Sequence, residues 1–303
     1  MKKPLFSLVA KGLALTVWVL AFHLSSPSQV IAGTDRGMVW ELESDSATVF
    51  LAGSIHVLSA DDHPLPPAYE AAYQASDKIV FEIDPREMFS AEGMRAFERY
   101  AKLPEGKTLS EVLSPEAFDE LQKYIEKRDF YMEGFSGQQP WSVGITLTSL
   151  ELMQMGITPM SGVDMFFSRK ARRDDKALGG LETMEFQARL FGELPMPEQE
   201  MFLRSTLSEI EVLQEDMGKM IRYWRKGKDD ELAEFINVGL EEFPSLQQTF
   251  VDDRNRDWIP AIESFLEGDQ NVMVIVGAGH LVGNNSVIEL LEENGHSPVR
   301  REK

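Results

Sequence analysis

Two apolar, β-branched runs that each end in glycine dominate the hydrophobic pattern of this chain. Near the start, Thr48 to Ala52 leads into Gly53-Ser54-Ile55-His56; about 220 residues later, Val272 to Val276 leads into Gly277-Ala278-Gly279-His280. Such runs are typical of buried strands, and glycine marks where a strand stops. Each turn therefore places a histidine at the carboxyl end of a strand, where open α/β sheets form their ligand sites.

The rest of the pattern predicts a single sheet interrupted by a long helical middle section. A hairpin is indicated by Met38 to Glu43 and the first run, and further strands by Lys78 to Asp84 and Ala177 to Leu181. Helical periodicity covers about 87–155, about 183–268 and 285–294, and Pro298-Val299 can add an edge strand. We therefore predict an α/β (α+β) fold, with a central mixed sheet that carries the two strand–Gly-x-x-His elements in one domain.

The first 32 residues have the layout of a secretory signal peptide. Lys2, Lys3 and Lys11 form a positive segment, Gly12 to Leu24 is apolar, and Val30-Ile31-Ala32 resembles a small-residue cleavage site. An uncleaved membrane anchor is the alternative, but it would bury Lys11, which is costly. We therefore predict a signal peptide over 1–32, a folded domain over 33–303, and a periplasmic or secreted protein whose only contact with a membrane would be an uncleaved signal sequence.

Composition limits the chemistry. The chain has no cysteine, which excludes disulfides, thiolate metal ligands and a cysteine nucleophile. Its formal net charge is −20, and removal of the three lysines of residues 1–32 makes it −23. Such an acidic surface argues against nucleic acid or an anionic membrane as a partner.

His56, His280 and Glu82 are the strongest candidates for chemistry. Glu82 lies inside the apolar run Ile79 to Ile83, where a carboxylate is costly unless it is paired or coordinated. Two histidines and one carboxylate commonly bind a divalent ion with open positions. Without a metal, the same groups could act as general acid and base. A purely structural role for each, such as a salt bridge to arginine for Glu82, stays open.

Other polar residues have both a functional and a structural interpretation. Arg254 and Asn255, on a helix before the last strand, could bind a substrate carbonyl or stabilise an oxyanion, or could belong to a solvated helix face. Asp164 and Glu182 each precede or open a helix, so both could simply help it begin. Asp84 is expected in a turn, and His63 and His296 at the surface, with His63 a weak candidate for a fourth ligand.

An ordered set of short motifs resembles the TraB/GumN (TraB/PrgY) family. The motifs are Gly53 to Leu58, Pro64 to Pro67, Phe81 to Asp84, Gly162 to Asp164, Gly180 to Thr183, Asp253 to Arg256 with Trp258, and Gly277 to Gly283. The family is related to the Tiki metal-dependent proteases and, more distantly, to erythromycin-esterase-like and ChaN-like proteins. The resemblance implies that His56, Glu82 and His280 form the active site and bind metal, with Arg254 and Asn255 as a further polar motif.

These observations favour an exported hydrolase, a metal-dependent peptidase acting on a peptide or small molecule. The expected cofactor is a divalent metal (Mn, Co, Zn or Fe) held by His56, Glu82 and His280, with Arg254 and Asn255 orienting the substrate. Two alternatives stay open at this point. One is a periplasmic protein that binds a small ligand, haem or a peptide without turnover, and the other is an esterase-like hydrolase that uses no metal.

Overall fold

A six-stranded mixed sheet forms the centre of the molecule. The computed structural model describes residues 35–240 and 244–301, so the predicted signal peptide lies outside the described residues. The strands stand in the order β4-β3-β5-β2-β1-β6. They are β1 (Val39–Glu43), β2 (Thr48–Ser54), β3 (Lys78–Ile83), β4 (Ala177–Glu182), β5 (Val272–Gly277) and β6 (Val299–Arg300).

Strand directions place the two histidine turns side by side. β5 lies between β2 and β3 and is parallel to both, and β4 is parallel to β3. β1 pairs with β2 as the expected antiparallel hairpin, and β6 adds an antiparallel edge to β1. The predicted mixed sheet, in which strands from the two ends of the chain are partners, is therefore confirmed. Its four parallel strands all end at one edge.

Helices occupy most of the remaining chain, as the helical periodicity predicted. They are α1 (Pro67–Ala75), α2 (Pro85–Met88), α3 (Ala91–Ala101), α4 (Leu109–Val112), α5 (Pro115–Lys127), α6 (Pro140–Gln154), α7 (Val163–Arg173), α8 (Met184–Gly192), α9 (Met196–Glu209), α10 (Leu213–Lys226), α11 (Asp229–Leu240), α12 (Pro244–Gln247), α13 (Asp253–Leu266) and α14 (Val287–Glu293). A π-helical segment, Gln248–Asp252, joins α12 to α13. Within the described ranges, no helix combines the length and the apolar character needed to cross a bilayer.

Residue type explains the central strands and the ends of several helices. All six residues of β5 are buried, as expected for a β-branched run with neighbours on both sides. Asp84 accepts a hydrogen bond from the Arg86 backbone and caps α2, which confirms that it is a turn residue. The last helix begins at Val287 rather than near Asn285, because Asn285 adopts a left-handed conformation (φ 54°) and the Ser286 side chain caps the helix.

Two buried aromatic side chains hold the first histidine turn in place. The Gly53 carbonyl accepts hydrogen bonds from the Trp224 indole Nε1, at 2.7 Å, and from the Tyr69 hydroxyl. Trp224 and Tyr69 are fully buried and belong to α10 and α1. The turn that carries His56 is thus anchored from the helical layer as well as from the sheet.

The boundary of the expected domain at residue 33 stays a prediction.

Candidate functional site

The two glycine–histidine turns meet at the carboxyl edge of the sheet. β2 and β5 are parallel neighbours, with Ser54 opposite Gly277 in their register. His56 and His280 are buried, at 3% and 0% exposure. Glu82 comes from β3, and its Oε1 lies 3.6 Å from His56 Nε2 and 4.0 Å from His280 Nε2. The structure therefore brings together the three residues that the sequence singled out.

An aspartate from the first turn of α7 fixes the orientation of His56. Its Nδ1 lies 2.8 Å from Asp164 Oδ2, and the Ser54 hydroxyl donates to the same oxygen. Nδ1 therefore carries a proton, and its hydrogen bond to Asp164 orients the ring so that Nε2 lies beside Glu82. Nε2 is buried and finds no hydrogen-bond partner among the residues that the structure describes. Burial alone would lower the pKa of His56, but the Asp164 carboxylate raises it above the ordinary value.

His280 sits in the opposite electrostatic environment. Its Nδ1 lies 2.6 Å from Asn255 Oδ1, and its Nε2 accepts from Arg254 Nη1 at 3.2 Å. The Trp258 ring packs on the imidazole, with 4.5 Å between centroids. Burial, and then the positive charges of Arg254 and His56, hold the pKa of His280 well below its ordinary value. His280 is therefore a neutral imidazole that donates through Nδ1 and accepts through Nε2.

Arg254 is a buried cation shared by two carboxylates. Its Nη2 donates to Glu82 Oε2 at 2.6 Å, and its Nε and Nη2 donate to Glu182 at 2.8 and 2.9 Å. Burial alone would lower the pKa of Arg254, but Glu182 and Glu82 raise it above the ordinary value. Glu82 also accepts from the Gly277 backbone N–H at 2.6 Å. This pairing explains how two carboxylates are tolerated in the interior.

The backbone at Gly162 lets α7 approach the first histidine turn. A Cβ atom built there would lie 1.9 Å from the His56 carbonyl oxygen. The Val163 N–H donates to the Ile55 carbonyl at 3.1 Å, which joins the two segments directly. Only glycine leaves room for this contact, and the contact places Asp164 within reach of His56.

Arg254 and Asn255 lie buried in the site, so the alternative of a solvated helix face is wrong for both. All the nitrogens of the Arg254 guanidinium donate to protein atoms, including the Phe250 carbonyl. The Asn255 amide donates to the Asn285 carbonyl while its oxygen contacts His280. Both side chains therefore position the centre in this structure, and a direct contact with substrate stays a prediction.

Asp164, Glu182 and Gln187 complete the centre. The sequence left Asp164 and Glu182 open between a functional role and helix initiation; the structure adds contacts to His56 and Arg254. Gln187 was missed, although its amide donates to Glu82 at 3.2 Å and to Glu182 at 2.8 Å. A signal existed, because Gln187 interrupts an otherwise apolar α8 stripe between Met184 and Phe191, at spacings of three and four residues.

Two histidines lie away from the centre. His63 Nε2 is 2.7 Å from the Ser161 carbonyl oxygen, and its ring packs against Phe166. His296 is half-buried, and its Nε2 is 3.2 Å from Glu263 Oε1. His63 is therefore in a poor position to act as the fourth ligand that the sequence considered.

The centre contains part of the donor set of a divalent metal site. His56 Nε2 is buried beside Glu82 without a hydrogen-bond partner in the described residues, and a hydrogen bond at Nδ1 orients each imidazole. Such fixing is the usual outer-shell arrangement of metal-binding histidines. A complete cluster is nevertheless not preformed, because no three His, Cys, Asp or Glu side chains within 35–240 and 244–301 come together as a metal-binding group. Arg254 instead contacts His280 Nε2.

The fold and the site together define a class: mixed α/β proteins in which two Gly-x-x-His turns and a strand glutamate form a buried imidazole–carboxylate centre. The family model described as the TraB/PrgY/gumN family matches residues 38–300, and the chain belongs to that family. This result confirms the resemblance that the motifs indicated.

Curated relatives match most of this chain at low sequence identity. Escherichia coli (strain K12) YbaP, described as an uncharacterized protein, is 24% identical over 241 residues, which cover 80% of this chain and 86% of YbaP. Metalloprotease TIKI2 of Xenopus tropicalis is 22% identical over 82% of this chain, and human metalloprotease TIKI1 is 22% identical over 88%. The matches span only 56% and 63% of those two proteins. No solved structure gave a significant match.

Proposed function

We propose that this protein is a metal-dependent hydrolase that cleaves peptide bonds at the His56–Glu82–His280 centre. The observation that carries the proposal is that His56 Nε2, 3.6 Å from the Glu82 carboxylate, is buried without a hydrogen-bond partner in the described residues. A buried polar atom of this kind is costly unless it has a function or a ligand. The metalloprotease relatives support a metal and a peptide substrate, although the identity is low.

Each residue of the centre has a separate role that follows from its position. His56, Glu82 and His280 would hold the ion, which when bound polarises a carbonyl and lowers the pKa of a bound water. Asp164 keeps a proton on Nδ1 of His56, so that Nε2 faces the centre, and Asn255 does the same for His280. Arg254 balances the charge of Glu82 and Glu182 and holds both side chains in place.

One observation favours a second candidate, a hydrolase without metal. The Arg254 guanidinium already occupies the side of His280 Nε2 that faces the centre. In that case His56, whose pKa is raised by Asp164, can accept and return a proton, while Arg254 stabilises negative charge. The two candidates share His56 and Glu82 and differ in whether an ion is required.

Metal content and peptide cleavage, measured on the same samples, separate these possibilities. The protein is purified without chelator or histidine tag, as wild type and as His56→Ala, His280→Ala and His296→Ala. We expect near-stoichiometric metal and peptide cleavage in wild type and in His296→Ala, whose histidine lies away from the centre. Both should be lost in His56→Ala and His280→Ala.

The other outcomes are equally informative. Cleavage that resists chelators but is lost in His56→Ala would favour the metal-free hydrolase. A ligand retained through purification, with no turnover of peptide or ester panels, would favour a binding protein. Full cleavage by both His56→Ala and His280→Ala would refute the proposed centre.

Export is a separate proposal that rests on the pattern of residues 1–32. We expect the protein in the exported fraction to begin at about residue 33. N-terminal sequencing of the protein from that fraction tests it, and an intact N-terminus retained with the membrane would support the anchor instead.

A further inference from the structure

An apolar cavity of about 340 Å³ lies beside the candidate centre. Four methionines and several aromatic rings line it, the methionines being Met88, Met94, Met160 and Met184. None of its lining side chains is ionisable. Its size is within the range of pockets that bind small ligands or parts of larger ones. The walls come from the helical middle section, mainly α3, α6 and α8.

The cavity adjoins the centre through Gln187 and Ile83. Gln187 lines the cavity, and its amide donates to Glu82 Oε2 at 3.2 Å and to Glu182 Oε2 at 2.8 Å. Ile83, which also lines the cavity, follows Glu82 directly in β3. A group bound in the cavity would therefore lie next to Gln187, which contacts Glu82, and to Ile83, which follows it in the chain.

The rim of the cavity is open to solvent. Phe89 and Met94 are 41% and 52% exposed, and they are two of the five large apolar side chains that are exposed in the described residues. Exposed apolar surface that surrounds a concavity next to polar groups is typical of a binding site. The cavity is thus accessible from outside and is more than a packing defect in the core.

We propose that this cavity binds a bulky, uncharged apolar side chain of the peptide substrate, close to the bond that is cleaved. The inference rests on the proposed hydrolase function and names its substrate class. A fatty acid fits less well, because no cationic side chain lines the cavity to pair with a carboxylate. A peptide brings its apolar side chain on a neutral backbone and needs no such partner.

The lining also predicts how selective the cavity is. Methionine side chains are flexible and polarisable, so they adapt to differently shaped apolar groups. We therefore expect leucine, methionine and phenylalanine to be accepted about equally, and serine or alanine to be disfavoured by about 10- to 100-fold in kcat/KM.

The test uses the full-length protein and pairs of short peptides that differ by leucine or serine at one position, scanned along the peptide. Met94→Asp places a charge at the exposed rim, and Ala188→Leu adds volume inside the cavity. Tyr131→Asp is the matched control, since Tyr131 is 82% exposed and does not line the cavity. We expect wild type and Tyr131→Asp to have a higher kcat/KM for the leucine peptide than for the serine peptide. In Met94→Asp and Ala188→Leu, the two kcat/KM values should differ by no more than about threefold.

Equilibrium binding of fluorescently labelled versions of the same peptides separates this inference from the hydrolase proposal. Leucine-selective binding that is lost in Met94→Asp, without cleavage, would support the cavity and refute the hydrolase. Cleavage without leucine selectivity, or with selectivity unchanged in both variants, would overturn the cavity assignment. Stronger competition by decanoate than by the leucine peptide would overturn it in favour of an acyl chain.

Discussion

Replacement of Arg254 by methionine tests the charge arrangement of the centre most directly. Methionine keeps much of the length and apolar character of the side chain but removes the cation. Glu82 and Glu182, which are buried and receive hydrogen bonds of 2.6, 2.8 and 2.9 Å from the guanidinium, then have no positive partner at that position. Their remaining donors, such as the Gly277 N–H and the Trp258 indole, are neutral.

The expected loss follows from the cost of an uncompensated buried charge. Breaking a buried ion pair by removing one partner typically destabilises a protein by about 3–5 kcal/mol. Since domains are stable by about 5–15 kcal/mol, Arg254→Met should still fold but with a much lower midpoint of urea unfolding. Arg256→Met is the matched control. Arg256 lies on the same helix, with its side chain 46% exposed and 3.3 Å from Asp253, and exposed pairs contribute about 0–1 kcal/mol.

Urea unfolding at pH 7, followed by tryptophan fluorescence, measures the difference in stability between each variant and wild type. A loss in Arg254→Met of less than about 1 kcal/mol at pH 7, no larger than that in Arg256→Met, would refute the reasoning.

Three further perturbations have expected outcomes. Gly162→Ala would place a Cβ 1.9 Å from the His56 carbonyl oxygen, so we expect the free energy of unfolding to fall by about 1–3 kcal/mol and activity to be lost. Gly137→Ala is the control: a Cβ there meets no atom within 4 Å, so urea unfolding should be nearly unchanged. Burial holds the pKa of His280 well below its ordinary value, so below about pH 6.5 the unfolded chain binds a proton that the folded protein does not. Acidification therefore lowers the free energy of unfolding, by at most ~2 kcal/mol between about pH 7 and 5. His280→Asn should remove this part of the slope, and equal slopes would contradict it. Asp164→Asn removes the group that raises the pKa of His56, so NMR titration should show that pKa falling, and an unchanged value would show that Asp164 is not its cause.

The sequence predicted the elements of the centre because their signals are local. β-Branched runs that end in glycine fixed β2 and β5, and each histidine is separated from its glycine by only two residues. Glu82 was recognisable because a carboxylate inside a buried strand requires a partner. The order of residue types along a short segment was sufficient for these predictions.

The partners of these residues were not predictable, because they depend on packing between distant segments. His56 and Asp164 are 108 residues apart in the chain, and Arg254 and Glu82 are 172 apart. A charged residue on a helix gives the same local pattern whether its face is solvated or covered. Arg254 is only 1% exposed because α13 packs over the end of the sheet, and no feature of its neighbours in sequence records that.

The position of β5 has a consequence for how the molecule forms. This central strand pairs with both β2 and β3, yet it lies more than 200 residues after β2 in the chain. Strand pairing across such separations raises the contact order and slows folding, because a long loop must close first. A growing chain therefore holds β2 and β3 with unpaired edges until residues 272–277 have been made. The candidate centre is completed only after β5 and His280 have been made, and a truncation before β5 would leave an aggregation-prone fragment.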